Sequence, residues 1–297
     1  MNDELERLFT GYNFMRDIII PSAISAEIIP SDIKKMKMCL SNFSVYKCKC
    51  CGNIQVASAN RCKNRFCVMC QHLRTKKWLA KLTPILIDWR KQGNYICMLN
   101  LTLKDMDSLR DMIFTINQAW RIMTHENKAS KEWFSDRFPG GLRSLEVVIG
   151  QNSRQWHCHL HCIVVQDSYA RDYNDLESRW NKACCSVLGL NHKTNKVGSV
   201  YISSITNDLE KSLLEVIKYI LKPNLDLYLN PLQFREAYEN LKSRRQVNTW
   251  GLFRRLAKEV ENELKKNDYE CEDCGCNDAI IEFIDLGKEN IYDHIKT

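Results

Sequence analysis

Three of the chain's seven histidines fall within five residues, at every second position of WHCHLHCIVV (156–165). Residues two apart on a strand share a face and lie roughly 6.6–7 Å apart. His157, His159 and His161 would then project together, neighbouring imidazoles converging on one ion, while Cys158, Leu160, Cys162 and Val164 turn to the core. SLEVVIG (144–150) reads as a second strand, joined to the first by the polar turn Gln151–Gln155. A tight hairpin centred on Asn152–Ser153 sets Glu146 opposite His159, within cross-strand contact distance. Two imidazoles and a carboxylate suit a divalent cation that keeps open positions for a substrate oxygen. A lone strand histidine usually just faces solvent, but three at period two beside a carboxylate ask for more. A structural zinc is the weaker reading, because such sites close with four ligands, often thiolates.

A second constellation lies in LLEVIKYILKP (213–223). On a helix Glu215 and Tyr219 stand at i and i+4 and stack on one face, as do Lys218 and Lys222 beside them. Leu214, Ile217 and Leu221 form the core stripe, which Tyr219 leaves. A tyrosine hydroxyl, with pKa about 10, is a poor nucleophile unaided. A cation polarising a phosphate, with lysines nearby, would supply the help. By itself this motif is equally a boundary tyrosine and a surface acid.

The third is made of cysteine, of which the chain has fifteen. Such a number in a chain with no secretory character argues for metal rather than disulfides. Cys48-x2-Cys51, fifteen residues and Cys67-x2-Cys70 match paired zinc knuckles. Lys63, Arg65, Arg74, Lys76 and Lys77 crowd this module and suit a phosphate backbone. CEDCGC (271–276) is half a knuckle; Cys271, Cys274 and Cys276 would need Cys48, Cys50 or His294 to close a second zinc site, and free thiols are the rival reading. Arg244-Arg245 and Arg254-Arg255 sit on an expected helix and are candidate DNA contacts or its solvated side.

These groups need a scaffold. YICMLNLTL (95–103) alternates as a strand, and Ser199–Ile205 forms another. Helices are expected over Leu73–Trp89, Asp105–Thr124, Tyr173–Leu188 and Asp208–Leu221, with Pro139-Gly140-Gly141 as a turn. Strands interleaved with helices around one hairpin predict an α+β fold on a mostly antiparallel sheet. At 297 residues there is ample chain for a core. The apolar run Ile18–Ile20 stops at Pro21, so no membrane span is expected. Residues 256–297 hold twelve acids against five lysines, which leaves the rest of the chain at +14 out of a net +7. A body this basic points to a polyanion, nucleic acid first, although a solvated basic surface has the same composition.

In order, RCKNRFCVMCQHLR (61–74), YICMLNLTL (95–103), RSLEVVIGQNSRQWHCHLHCIVV (143–165) and EVIKYILK (215–222) resemble the motifs of rolling-circle plasmid replication initiators of the HUH endonuclease superfamily. The resemblance spans about residues 60–225. It implies a single-strand DNA nickase and ligase dependent on Mg²⁺ or Mn²⁺. In such enzymes a tyrosine, here Tyr219, attacks a phosphate at the plasmid origin, stays linked to the 5′ end and frees a 3′-OH. His159 and His161 match the core metal pair and His157 the upstream histidine; Glu215 matches a general base that activates water to end replication. The third ligand is Glu146 or His157. Cys51, Cys67 and Cys70 match the zinc cysteines, with Cys62 or Cys48 as fourth; relatives more often have the cysteine of Cys62. Many relatives carry proline where this chain has Cys158 and Val68.

The expected organisation is a lead-in (1–46), a cysteine-rich zinc module with its basic helix (47–92), an HUH-like nuclease domain with helices flanking an antiparallel sheet (93–225), and a helical C-terminal region with an acidic cysteine-bearing tail (226–297). Expected partners are origin DNA (a single-stranded or hairpin nick site and flanking duplex), a host helicase and polymerase, and a second copy of the chain. The expected location is the bacterial cytoplasm, away from membranes. A single-tyrosine transposase or relaxase would share the chemistry. A non-catalytic zinc DNA-binding protein would leave His157, His159, His161, Glu215 and Tyr219 idle.

Overall fold

The structure, a computed structural model, describes residues 11, 13–166, 173–205, 225–245, 247–254, 269–271 and 273–285. The expected helix 208–221, with Glu215, Lys218 and Tyr219, lies outside these residues, as does Lys222 just after it. So does His294. Among the described residues eight strands are formed: β1 (Asn42–Cys48), β2 (Ile54–Ala59), β3 (Tyr95–Leu103), β4 (Gly140–Ile149), β5 (Trp156–Gln166), β6 (Gly198–Ser204), β7 (Val247–Gly251) and β8 (Ala279–Asp285). They build two antiparallel sheets flanked by helices, the expected α+β class. Among the described residues no helix is long and apolar enough to cross a membrane.

The chain divides into two compact units. One comprises 1–74, 228–242 and 260–297. Its sheet has the order β2-β1-β8. Phe66 stacks on Tyr238 at 5.4 Å between ring centroids and meets Phe234 edge-on at 5.3 Å. The Tyr238 hydroxyl donates to Asp32 Oδ2 at 2.8 Å and accepts from Asn64 Nδ2 at 2.8 Å. This satisfied hydroxyl lets a mostly buried tyrosine join residues from three distant parts of the chain.

The other unit comprises 75–227 and 243–259, with sheet order β6-β3-β5-β4-β7. The histidine strand β5 is therefore central, hydrogen-bonded to β3 and β4. The hairpin has the expected register, Glu146 opposite His159. Cys158, Leu160, Cys162 and Val164 are at most 1% exposed. Arg143, on β4 opposite Cys162, lies under the Trp120 ring at 4.7 Å, so helix Leu109–His125 covers this face, away from the histidines. Helix Asn174–Leu188 is anchored to β3 by a bond from Trp180 Nε1 to the Thr102 carbonyl (2.8 Å).

Three expectations are corrected. Gly140 and Gly141 continue β4 instead of turning; β7 pairs alongside, and a Cβ on Gly141 would stand within 2.5 Å of the Ile163 carbonyl oxygen. Glycine serves close backbone approach here. The helix expected from Asp105 begins at Leu109, where Ser108 caps it by accepting from the Asp111 amide (3.2 Å). Arg244 and Arg245 are exposed in the connection between helix Pro231–Leu241 and β7, not on a helix.

Candidate functional site

β5 places the three histidines on one face, and its neighbours fix each ring. His161 Nδ1 meets Asn100 Oδ1 at 2.7 Å, and its Nε2 meets Glu146 Oε2 at 2.7 Å. His159 Nδ1 meets Thr102 Oγ1 at 2.8 Å. His157 Nδ1 bonds Asp105 Oδ1, whose other carboxylate oxygen accepts from Ser153. The pattern repeats: every Nδ1 is tied to β3 or the residues just after it. Ring nitrogens held in this way have their tautomer and orientation set, which is the usual support for a metal-binding histidine. For His161, Nδ1 faces one acceptor and Nε2 another, an arrangement that calls for a proton or a cation between the ring and Glu146.

The environment favours neutral donors. Burial, then the neighbouring His157, pushes the His159 imidazole down to about 4, so its lone pair is available at neutral pH. Burial opposes ionisation of Asp105, yet its bonds from Ser153 and His157 hold the carboxyl below the usual range. Glu146 and His161 are buried, 9% and 5% exposed. His157 and His159 rings are 4.3 Å apart by centroid, His159 and His161 5.6 Å. Two or three nitrogens and one carboxylate oxygen form a donor set that fits a hard or borderline divalent cation. Among the described residues the groups of three or more donor atoms all within 4.8 Å of one another are made only of cysteine; the histidine face is not drawn that tight.

Asn100, Thr102 and Asp105 were not singled out from the sequence. The signal was present for the first two: in YICMLNLTL they are the polar pair at period two in an otherwise apolar strand. Asp105 was hidden because a helix was expected to start there.

The cysteines group differently from the expected set. Cys39, Cys62, Cys67 and Cys70 come together, with Sγ separations of 3.5 Å (Cys39–Cys70), 3.6 Å (Cys62–Cys70) and 3.7 Å (Cys39–Cys67). Zinc with Zn–S bonds of about 2.3 Å spaces tetrahedral sulfurs about 3.8 Å apart. Cys39 was missed altogether. Cys48 and Cys51 belong elsewhere, with Cys271 and Cys274, while Cys50 and Cys276 form a further group with Cys48. Both tetrads could hold a metal such as zinc. Lys63 is exposed and Arg65 and Arg74 half-buried; Arg74 donates to the Lys63 carbonyl at 3.3 Å. Lys76 and Lys77 lie on helix Val68–Lys91, their side chains outside the described set.

Residues 53–287 match the family model described as "Replication protein". The chain is similar to "Protein rep" of Streptococcus pneumoniae, 27% identical over 220 residues that cover 71% of this chain and 66% of that protein. It is also similar to "Protein rep" of Lactiplantibacillus plantarum, at 22% identity over 78% of this chain and 79% of that one. "Protein rep" of Staphylococcus aureus is 26% identical over 54% of this chain and 69% of its own length. No solved structure matches significantly. The family match extends well beyond the four motifs into the C-terminal strands, and the chain belongs to the replication protein family, the rolling-circle plasmid initiators that those motifs resemble.

Proposed function

We propose that this chain initiates rolling-circle replication by cutting one strand of a plasmid origin, with Tyr219 as nucleophile. The observation that carries the reading is the histidine face: three imidazoles on a central strand, each pinned through Nδ1, and one abutting a buried carboxylate. His159, His161 and Glu146 would hold a Mg²⁺ or Mn²⁺ ion, with His157 beside them. When bound, such an ion polarises a phosphate oxygen and neutralises charge developing at phosphorus. The Tyr219 oxygen forms a bond to phosphorus as the bond to the 3′ oxygen breaks. The phenolic proton leaves to solvent, and the departing oxygen takes one up as the 3′-OH that primes a polymerase. Lys218 and Lys222 offset the phosphate charge. In-line displacement of this kind depends on positioning and electrostatics more than on a strong base. Lys63, Arg65, Arg74, Lys76, Lys77, Arg244 and Arg245 would contact the DNA backbone, and zinc at Cys39, Cys62, Cys67 and Cys70 would hold the first three in place. A host helicase opens the duplex.

The test is incubation with single-stranded origin DNA and Mn²⁺, followed by a denaturing gel. A protein–DNA adduct of shifted mobility supports the reading; its absence over a range of origin sequences from the cognate plasmid overturns it.

Two further outcomes follow. Glu215→Ala should leave nicking within about twofold yet slow hydrolytic release of the adduct by about 10²–10⁴, the range for a lost general base; equal loss of both would remove Glu215 from that role. Asp105→Ala and Thr102→Val should each weaken Mn²⁺ binding by about 10-fold, the lower end for a lost orienting partner. Calorimetric titration reads this, and unchanged affinity would show that the rings need no such anchoring.

A further inference from the structure

Two stretches more than 200 residues apart, CKCCGN (48–53) and CEDCGC (271–276), adopt the same turn. In each, the amide of the first cysteine donates to the carbonyl five residues on, Cys48 to Asn53 at 2.8 Å and Cys271 to Cys276 at 2.9 Å. In each, the glycine amide returns to the first cysteine's carbonyl, Gly52 to Cys48 and Gly275 to Cys271, both at 2.9 Å. Both glycines are left-handed, φ 75° and 68°, a conformation that costs glycine least. The first and fourth residues of each stretch, Cys48 with Cys51 and Cys271 with Cys274, fall into one group.

There the four thiols meet. Cys51 and Cys271 Sγ are 3.5 Å apart, Cys48 and Cys274 Sγ 3.6 Å, and all four lie within 4.8 Å of one another. A disulfide needs sulfurs about 2.05 Å apart, whereas a tetrahedral zinc tetrathiolate needs about 3.8 Å. Cys50 and Cys276 stand 2.6 Å apart by Sγ, but they take the third place in one turn and the sixth in the other, so they have no equivalent role. The turns also bracket a sheet contact: β1 ends at Cys48, opposite Ala279, the first residue of β8.

We propose that Cys48, Cys51, Cys271 and Cys274 bind a structural zinc ion, separate from the one at Cys39, Cys62, Cys67 and Cys70, which clamps β8 onto β1. Four thiolates close its coordination, so it takes no part in chemistry. Its work is to join β8 to a strand far away in sequence, whose closure is entropically costly for the chain alone.

The unmodified full-length chain tests this directly, because Cys51, Cys274 and Cys50 are all exposed and accessibility alone would let all three react. Elemental analysis should find two zinc ions per chain. Iodoacetamide followed by mass spectrometry should find Cys51 and Cys274 protected until a chelator is added, and Cys50 alkylated throughout. Cys271→Ser with Cys274→Ser should lose one zinc of two, and Cys67→Ser with Cys70→Ser the other. One zinc in the unmodified chain, iron in its place, or Cys51 and Cys274 reacting at the rate of Cys50 while zinc is bound would overturn the assignment. Should the serine variants misfold, the alkylation pattern decides alone. None of these readouts depends on nicking.

Discussion

Tyr219→Phe should form no covalent adduct with origin DNA, a loss of at least about 10⁴-fold, which is the scale on which removing an enzyme's nucleophile acts. The change deletes one oxygen, keeps the ring and leaves the charges of Lys218 and Lys222 as they are. DNA binding, measured by fluorescence anisotropy at fixed salt, should remain within about twofold of the unmodified chain, since the phosphate contacts that dominate affinity are untouched. The pair of measurements separates a lost nucleophile from a lost fold. An undiminished adduct from the phenylalanine variant would assign the attack to another residue.

His161→Ala should raise the Mn²⁺ dissociation constant by more than about 100-fold, beyond what the loss of a merely orienting partner costs. His161 is the most deeply buried of the three imidazoles and the one whose ring touches Glu146. Removing it takes away one of the proposed donors and leaves the buried Glu146 carboxylate without its hydrogen-bond partner. The same titration ranks the third ligand. Glu146→Gln keeps shape and hydrogen-bonding capacity while removing the charge, and it should weaken Mn²⁺ more than His157→Ala does, because His157 is turned by Asp105 whereas Glu146 faces His161. The reverse ranking would move the third place to His157. On the proposed mechanism, nicking should fall in parallel with metal affinity, because a bound cation would offset charge developing at phosphorus.

Much of the histidine face was legible from the sequence, for a physical reason. Strand periodicity is a property of the chain itself, and a tight hairpin fixes its own register. Glu146 and His159 are thirteen residues apart, and only the turn between them needed reading. Side-chain alternation then assigned Cys158, Leu160, Cys162 and Val164 to the core. The α+β class followed from the order of the periodic segments.

What holds those histidines came only from tertiary pairing. Asn100, Thr102 and Asp105 reach the site because β3 lies against β5, and nothing in either segment states that they are neighbours. The cysteines make the same point more sharply. A Cys-x2-Cys spacing announces half a site by local geometry but carries no information about its other half. The nearest pairs in sequence, Cys48/Cys51 and Cys67/Cys70, were natural partners, yet β8 returns beside β1 and brings Cys271 and Cys274 to the first. Helix Pro30–Lys37 and the turn after it deliver Cys39, which has no knuckle partner in sequence, to the second. Composition and spacing pointed to imidazole and thiolate as the candidate metal donors; long-range strand pairing decided which of those side chains come together.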